Sequence, residues 1–269
     1  MLEIENPVMN FLRQLIAKRN GYFIRSGYTS RLQAEYYWVA PDAQRGRVYQ
    51  PCVYPLAFSL ARRIGCTTLI DIGSGNAEKL AAAHPEFHII GMDFGPNLVN
   101  CRRRYPFGEW LEWDIDHQPP PPLSPRILKD SLLICSDVIE HLAAPDRLLL
   151  AVKKWLNWAP YAIISTPDRD LVRGTEDPGP PANSAHVREW NQSELRRLLK
   201  HFGLFTEFIG TTLNNSVSRE KKTILAILRR NSARYRASRQ SFLGENIATL
   251  LEAIHAEACA KRSDSVRSS

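Results

Sequence analysis

The chain has 269 residues, of which 44% are hydrophobic and 23% charged, and this ordinary globular mix excludes wholesale disorder and collagen-like repeats. A net charge of +7 would suit a nucleic-acid-binding protein, but residues 219–269 hold 11 Lys and Arg against 5 Asp and Glu, which leaves +1 for the first 218 residues. The basic character therefore belongs to the C-terminal tail, and we expect no nucleic-acid partner.

Cysteine spacing and hydropathy indicate the cell compartment. No two of the five cysteines are spaced as a zinc or redox CxxC pair, and no disulfide framework is evident: Cys52, Cys66, Cys101, Cys135 and Cys259. The N-terminus has no apolar stretch typical of a signal peptide, and no segment approaches the roughly 20 apolar residues of a membrane-spanning helix. We therefore predict a cytoplasmic protein without a membrane span.

The first 54 residues predict an N-terminal cap. Apolar residues recur at helical spacing within residues 1–20, and residues 21–54 are rich in tyrosine. Tyr36, Tyr37 and Trp38 suit a sugar or aromatic ligand, although packing against the rest of the protein is the commoner fate of such rings. A helix over Leu56–Ile64 is expected to end at Gly65.

Residues 55–230 alternate short apolar runs with helical stretches, which predicts βαβ units and a mainly parallel α/β sheet. The last two apolar runs flank a turn around Asn214 and Asn215, so they predict an antiparallel pair. The predicted strands are Thr68–Ile72, His88–Met92, Trp110–Trp113, Leu132–Cys135, Tyr161–Ser165, Phe205–Thr212 and Thr223–Leu228. The predicted helices are Ala77–Ala83, Pro96–Arg104, Arg147–Leu156 and one opening at Asn191.

Residues 231–269 form the third segment. A basic stretch precedes apolar residues at helical spacing, which predicts an amphipathic helix, and the last eight residues resemble a disordered tail. This helix, or the N-terminal one, is a candidate for forming a homodimer.

The clearest local motif is a strand that ends at Asp71 and turns tightly through Gly73, Gly75 and Asn76 into a helix. Glycine lets the backbone approach a ligand closely. A carboxylate two residues before the first glycine would repel a dinucleotide pyrophosphate, whereas it would attract the ammonium group of an amino-acid-bearing cofactor. The alternative is an ordinary strand-to-helix turn.

Two more acidic residues follow the next strands. Asp93 ends the second strand, where a carboxylate can accept from both ribose hydroxyls, and Phe94 beside it could stack on an adenine ring. Asp114 follows the third strand and could accept from an adenine amino group, with Ile115 packing on the ring, or it could simply cap the loop. Either aspartate alone would be weak evidence for a site that binds a nucleoside.

A fourth group follows the fourth strand, where open α/β sheets bind ligands. It contains Asp137, Glu140 and His141. The glutamate and histidine could hydrogen-bond a substrate, act as general bases or ligate a divalent ion; the structural alternative is a pair at a helix start. Two ligands make an incomplete metal site, so we predict no metal.

Together these residues resemble the class I S-adenosylmethionine-dependent methyltransferases over roughly residues 54–230. The segment from Asp137 to Leu142 is similar to the ubiquinone-biosynthesis-type and small-molecule O-methyltransferase branch. The resemblance implies a Rossmann-like three-layer sandwich whose seven-stranded, mainly parallel sheet has a reversed last strand. It also implies S-adenosylmethionine as the cofactor and S-adenosylhomocysteine as the product.

The resemblance also implies residue roles. Asp71, Gly73 and Gly75 would hold the methionine moiety, and Asp93 would hold the ribose. Phe94, Asp114 and Ile115 would hold the adenine, and Asp137 would lie under the sulfonium. Asn76 and Ala77 stand where many members of the family have a third glycine, a common variation.

The methyl acceptor is expected to be a small or carrier-borne molecule. The Asn/Asp-Pro-Pro-aromatic segment that base N-methyltransferases need is absent after the fourth strand, which argues against a flipped base. The long loop over residues 166–190 contains His186, whose imidazole could accept a hydroxyl proton or merely pin the loop. We predict methyl transfer to a hydroxyl of a sugar or secondary metabolite, with His186, His141 and Glu140 as catalytic residues.

Three alternatives remain open from the sequence. The first is an N- or carboxyl-methyltransferase acting on a small molecule, and the second is a cofactor-binding subunit without catalytic activity. The third, a nucleotide-dependent oxidoreductase, is disfavoured by Asp71 and by the antiparallel final strands.

Overall fold

A seven-stranded sheet organises the part of the chain that the structure describes. The computed structural model describes residues 21–37, 48–218, 220–230 and 244–267. The strands are β1 Thr68–Ile72, β2 His88–Asp93, β3 Glu109–Glu112, β4 Ser131–Ser136, β5 Tyr161–Pro167, β6 Phe205–Thr212 and β7 Thr223–Arg229. Their order is β3-β2-β1-β4-β5-β7-β6. Strands β1 to β5 are parallel, whereas β7 is antiparallel to both β5 and β6. The predicted fold class and reversed last strand are confirmed.

Helices cover both faces of this sheet. They are α1 Val53–Ile64, α2 Glu78–Ala81, α3 Gly95–Arg104, α4 Pro125–Lys129, α5 Pro145–Trp155, α6 Arg169–Arg173, α7 Gln192–His201 and α8 Gly244–Arg267. Neither of the short helices α4 and α6 was predicted, and α6 lies within residues 166–190, which the sequence predicted to form a long loop. Each has a side-chain N-cap, Ser124 for α4 and Asp168 for α6, and this local signal was overlooked.

Burial explains why the strands appear in the sequence as uninterrupted apolar runs. Every residue of β1 and of β4 is buried, because helices pack on both faces of a parallel sheet. Alternate side chains enter two hydrophobic clusters, with Ile70 in the cluster of α5 and α7 and Leu69 in the cluster of α1, α3 and α8. The result is the predicted three-layer arrangement.

The described part of the N-terminal segment, residues 21–37, lies along the loop that follows β5. Backbone hydrogen bonds join Thr29 to Pro178 and Arg31 to Val187. Apart from a 3-10 turn at Gly21–Phe23 this segment is not helical. The helix predicted within residues 1–20 lies outside the described residues, as does Trp38.

Helix α8 packs through Ile247, Leu251 and Ile254 against the cluster that contains α1. It extends to Arg267, into the last eight residues. The sequence between residues 258 and 267 contains no glycine or proline to stop a helix, and the disordered tail stays a prediction. Within the described ranges, no helix is long and apolar enough to cross a membrane.

Candidate functional site

A cavity of about 1960 Å³ opens at the carboxyl edge of the parallel strands. Loops after β1, β2, β3 and β4 form one side, and residues 22–37 with the loop after β5 form the other. Single small-molecule sites usually measure about 300–1,000 Å³, so this cavity has room for two molecules. It lies where open α/β sheets bind ligands, at the switch point between β1 and β4.

Three residues in the turn after β1 have a left-handed backbone conformation. The φ angles are 70° at Gly73, 55° at Gly75 and 53° at Ala77. Gly73, Gly75 and Asn76 line the cavity, as predicted for a turn that brings backbone close to a ligand. The side-chain Nδ2 of Asn76 is buried and has no hydrogen-bond partner among the described residues, so this turn offers a free donor.

Gly73 also lacks space for a side chain, because a Cβ there would lie 2.5 Å from Cγ2 of Val138. Gly73→Ala is therefore expected to lower the free energy of unfolding by about 1–3 kcal/mol through overpacking, with about 1 kcal/mol more from the positive φ. Adding Val138→Ala removes the clashing methyl groups and should recover the overpacking part. Equal losses in the presence and absence of Val138→Ala, measured by urea unfolding, would contradict this assignment.

Asp93, the last residue of β2, connects the loops after β1 and β2 through hydrogen bonds of its carboxylate. Its Oδ2 accepts from the backbone N–H of Gly75 at 2.7 Å, and its Oδ1 accepts from the N–H of Phe94 at 2.8 Å and from Asn97. Burial raises the pKa of this carboxyl, while these hydrogen bonds oppose the rise. Asp93 lines the cavity, so its remaining lone pairs can accept from a ligand.

The predicted adenine-binding residues line the cavity too. The ring of Phe94 meets Tyr36 edge to face at 4.9 Å, and the Tyr36 hydroxyl donates to the Phe94 carbonyl at 2.8 Å. Asp114 and Ile115 lie beside them on the wall formed by the loop after β3. The cavity wall at this end therefore combines aromatic and apolar side chains with carboxylates, those of Asp93, Asp114 and Asp116.

Asp71 differs from the other predicted cofactor residues, because it lies beneath the cavity wall and is not part of it. The hydroxyl of Tyr54, which does line the cavity, donates to Asp71 Oδ2 at 2.8 Å. Oδ1 has no hydrogen-bond partner among the described residues. Complete burial raises the pKa of Asp71 to about 7.

Lys79 stands in the cavity wall above this carboxyl. Its ammonium donates to the Tyr49 carbonyl at 3.2 Å and lies 4.9 Å from the centre of the Tyr54 ring. Burial lowers the pKa of this lysine, and the charges of Asp137 and Asp71 oppose that change. A cation next to a donor-rich turn suits a carboxylate-bearing ligand.

Asp137 is the first residue after β4 and lines the cavity. Its backbone has a φ of 54°, and its carboxylate accepts from Gln50 Nε2 and, at 3.5 Å, from the Ser165 hydroxyl. Burial raises the pKa of Asp137 to about 6, although the nearby charges of Lys79 and His186 limit the rise. The side chain faces the same space as Asp93.

Two histidines lie together beyond Asp137. The rings of His141 and His186 meet edge to face with centroids 4.7 Å apart, and both line the cavity. His141 Nδ1 lies 2.7 Å from the Ala185 carbonyl oxygen, and His186 Nδ1 lies 2.6 Å from Glu189 Oε1. Burial lowers the pKa of His141 to about 4, which keeps its imidazole neutral near pH 7.

Glu140 is fully buried behind this pair and does not line the cavity. Its Oε2 accepts from the Thr166 hydroxyl at 2.9 Å, and its backbone oxygen accepts from the N–H groups of Val187 and Arg188. Those backbone bonds bring His186 next to His141, although 45 residues separate them in the sequence. Burial and the neighbouring charge of Asp137 raise the pKa of Glu140 well above its usual range.

The loop that carries His186 is anchored by a buried ion pair. Arg169 is completely buried, and its guanidinium donates to both carboxylate oxygens of Glu194, at 2.7 and 3.1 Å. It also donates to Asp170 and to the Glu189 carbonyl. Because Glu189 holds His186, the histidine's position depends on this ion pair.

The structure thus gathers the predicted residues along one cavity, with the exceptions of Asp71 and Glu140, which lie just behind its wall. Sequence reasoning missed Gln50, Tyr54 and Lys79. Tyr54 and Lys79 flank the glycine turn at α1 and α2, so their proximity to it could have been inferred. Gln50 has no sequence signal, since its contact with Asp137 depends on the tertiary path of the chain.

Comparisons with known proteins show the family and agree with the fold. A family model described as a methyltransferase domain matches residues 19–206. A Haloferax volcanii complex between the Trm112 methyltransferase activator and a methyltransferase aligns at 14% identity with a TM-score of 0.51, covering 67% of this chain and 90% of that one. An S-adenosylmethionine-dependent methyltransferase from Mesorhizobium loti aligns at 15% identity with a TM-score of 0.50, covering 65% and 98%. The methyltransferase domain of bacterial CtHen1-C aligns at 16% identity with a TM-score of 0.50, covering 68% and 98%. No curated protein sequence matches significantly.

Proposed function

The chain belongs to the methyltransferase-domain family and is an S-adenosylmethionine-dependent methyltransferase, and we propose that it methylates a hydroxyl group of a small molecule, a sugar or a secondary metabolite. The observation that carries the proposal is a single cavity with the glycine turn and Asp93 at one end and two converging imidazoles at the other. A cofactor and an acceptor can therefore meet inside it.

The residues at the first end fit S-adenosylmethionine. A free amide donor on Asn76 and the ammonium of Lys79 suit the amino-acid part of the cofactor, and Asp93 suits its ribose hydroxyls. We propose that Asp71 acts through Tyr54 rather than by direct contact, since that tyrosine stands between it and the cavity. Phe94, Asp114 and Ile115 then enclose the adenine.

Bound S-adenosylmethionine supplies an activated methyl group. An oxygen lone pair of the acceptor attacks the methyl carbon, and the electrons of the broken carbon–sulfur bond stay on sulfur, which yields S-adenosylhomocysteine. The chain must align the oxygen with the methyl group and help the hydroxyl proton to leave. We propose that His141 and His186, whose rings meet at the cavity wall, act on that hydroxyl.

The aromatic lining favours a polyhydroxylated or ring-shaped acceptor. Six tyrosines line the cavity, and flat rings pack against apolar sugar faces while their hydroxyls form hydrogen bonds: Tyr22, Tyr28, Tyr36, Tyr37, Tyr49 and Tyr54. The ring of Tyr37 lies 5.3 Å from that of His141, beside the proposed acceptor position. These features support a place in the small-molecule O-methyltransferase branch.

Cofactor binding provides the first test. Asp93→Ala is expected to weaken S-adenosylhomocysteine binding by about 1–3 kcal/mol, roughly 5- to 150-fold, because the ribose loses its acceptor. Isothermal titration calorimetry measures this change, and Asp130→Ala, at an exposed position at the end of α4, is the control. Unchanged affinity in a folded Asp93→Ala variant would show that the carboxylate does not contact the ribose.

The acceptor is identified by S-adenosylhomocysteine release during incubation with panels of sugars, phenols, amines and carboxylic acids. Release with hydroxyl compounds supports the proposal. Release with amines or carboxylic acids alone would instead indicate an N- or carboxyl-methyltransferase. Cofactor binding without turnover on any panel would favour a cofactor-binding subunit.

Size-exclusion chromatography tests the predicted homodimer through the terminal helices.

A further inference from the structure

Arg188, in the loop after β5, is a buried arginine in the cavity wall. The residue is 3% exposed, and its guanidinium donates to the carbonyl oxygens of Leu142 and Ala143, both at 3.2 Å. Within the described ranges it forms no ion pair, and Nε has no hydrogen-bond partner. A buried charge that meets only neutral groups is costly unless a ligand supplies the opposite charge.

Two carboxylates have charges that reach Arg188, and both are bonded elsewhere. The oxygens of Asp116 accept from two backbone N–H groups of the loop after β4, at 2.9 and 2.8 Å. Asp146 Oδ1 accepts from the Tyr22 hydroxyl at 2.8 Å. The Tyr22 ring lies against the guanidinium, with its centre 4.6 Å from the central carbon. These contacts orient the guanidinium without neutralising it.

The two sides of the cavity carry opposite net charge. The side formed by residues 22–37 and the loop after β5 contains four arginines and two glutamates: Arg25, Arg31, Arg173, Arg188, Glu35 and Glu189. The side that follows strands β1 to β4 contains one lysine and four aspartates: Lys79, Asp93, Asp114, Asp116 and Asp137. The acidic side suits the sulfonium-bearing cofactor, whereas the arginine side suits an anion.

The other arginines on this side differ from Arg188 in pairing or in burial. Arg25 and Arg173 each lie within ion-pair distance of an aspartate, at 3.9 and 2.8 Å. Arg31 donates to backbone carbonyls and is only half-buried. Among the arginines that line the cavity, Arg188 is therefore the most buried, and its charge has no partner in the part of the chain that the structure describes.

We propose that Arg188 binds an anionic group of the methyl acceptor, a carboxylate or a phosphate. The inference rests on the proposed function, because it adds a charge requirement to the acceptor of the same cavity. Arg188 follows His186 by two residues, and Leu142, whose carbonyl it holds, directly follows His141. An anion bound there anchors the acceptor at the end of the cavity that contains the imidazoles. The fork of guanidinium N–H groups matches both carboxylate and phosphate oxygens.

Three ligands that share a benzene ring test the charge requirement: phenyl phosphate, benzoate and phenol. Each is titrated at neutral pH into the full-length protein saturated with S-adenosylhomocysteine, by isothermal titration calorimetry, so no turnover is needed. We expect at least one of the two anions to bind about 10-fold or more tightly than phenol, through charge-assisted hydrogen bonds. Tighter binding of phenyl phosphate assigns a phosphorylated acceptor, and tighter binding of benzoate assigns a carboxylic acid.

Arg188→Met should weaken binding of the preferred anion by about 10-fold or more and change phenol binding by less than about threefold. Arg188→Lys keeps the charge but loses the fork, so its affinity for the anion should lie between those of Arg188→Met and the wild type. Arg126→Met is the matched control, because it removes the same charge from an exposed position on α4 and should change neither affinity. Binding of S-adenosylhomocysteine shows which variants remain folded.

Equal binding of phenol and both anions by the wild-type protein overturns the inference without any variant. An unchanged anion preference in folded Arg188→Met does the same, and Arg188→Lys decides in its place if Arg188→Met does not fold. The panel of sugars, phenols, amines and carboxylic acids tests the proposed function separately. Turnover of amines alone would remove hydroxyl methylation and leave the anion preference standing, whereas loss of the anion preference would leave a neutral hydroxyl acceptor.

Discussion

Replacing Arg169 by methionine is expected to lower the free energy of unfolding by about 3–5 kcal/mol, because it leaves the buried carboxylate of Glu194 without its cation. Arg169 is completely buried and Glu194 is 1% exposed, so water cannot replace the lost partner. The guanidinium contributes two hydrogen bonds to Glu194, one to Asp170 and one to the Glu189 carbonyl. Equilibrium unfolding in urea measures the loss.

The control is Arg196→Met, which changes an exposed arginine on α7, the helix that also contains Glu194. It should change the free energy of unfolding by less than about 0.5 kcal/mol. If Arg169→Met costs no more than Arg196→Met, the buried ion pair does not anchor the loop. Losing the ion pair would also affect function. The loop that Arg169 and Glu194 hold contains His186, and the histidine would lose its fixed orientation.

Much of the fold follows from local patterns. Fully buried strands such as β1 and β4 are apolar runs in the sequence, and their alternation with helices leaves few topologies. Helix ends were predictable where a cap is explicit, as at Gly65 and at Asn191 with its Glu194 capping box. The predicted Ala77–Ala83 helix is shorter in the structure, Glu78–Ala81, and it begins later because Ala77 has a left-handed backbone.

The site was predictable only in part. Asp71, Asp93 and Asp137 could be placed at one sheet edge, because they lie at or just beyond the carboxyl ends of parallel strands. Which carboxyl faces the cavity and which lies behind its wall depends on side-chain orientation, and the sequence pattern does not contain that information. Likewise, no spacing rule brings His186 to His141, since the backbone bonds from Val187 and Arg188 to Glu140 set that contact.

Asp71→Asn is expected to stabilise the cofactor-free protein at about pH 8 relative to the wild type, and to do so much less at about pH 5. The folded-state pKa of Asp71 is about 7, above its ordinary value of 3.8. Between these values the unfolded chain is ionised while the folded protein keeps the proton, so the wild-type protein loses stability as the pH rises through this window. A shift of this size corresponds to up to about 4 kcal/mol in total, and about 3 kcal/mol of it falls between pH 5 and pH 8.

Asparagine keeps the shape of Asp71 and can still accept from the Tyr54 hydroxyl, so the variant removes the ionisation without removing the hydrogen bond. Urea unfolding at both pH values gives the difference, and Asp130→Asn controls for the loss of one exposed carboxylate. If the difference between Asp71→Asn and wild type is the same at both pH values, Asp71 does not titrate in this window. A gain at pH 8 that shrinks at pH 5 would instead mean that the fold keeps a costly buried carboxyl under the proposed cofactor site, and that its ionisation is what destabilises the cofactor-free protein.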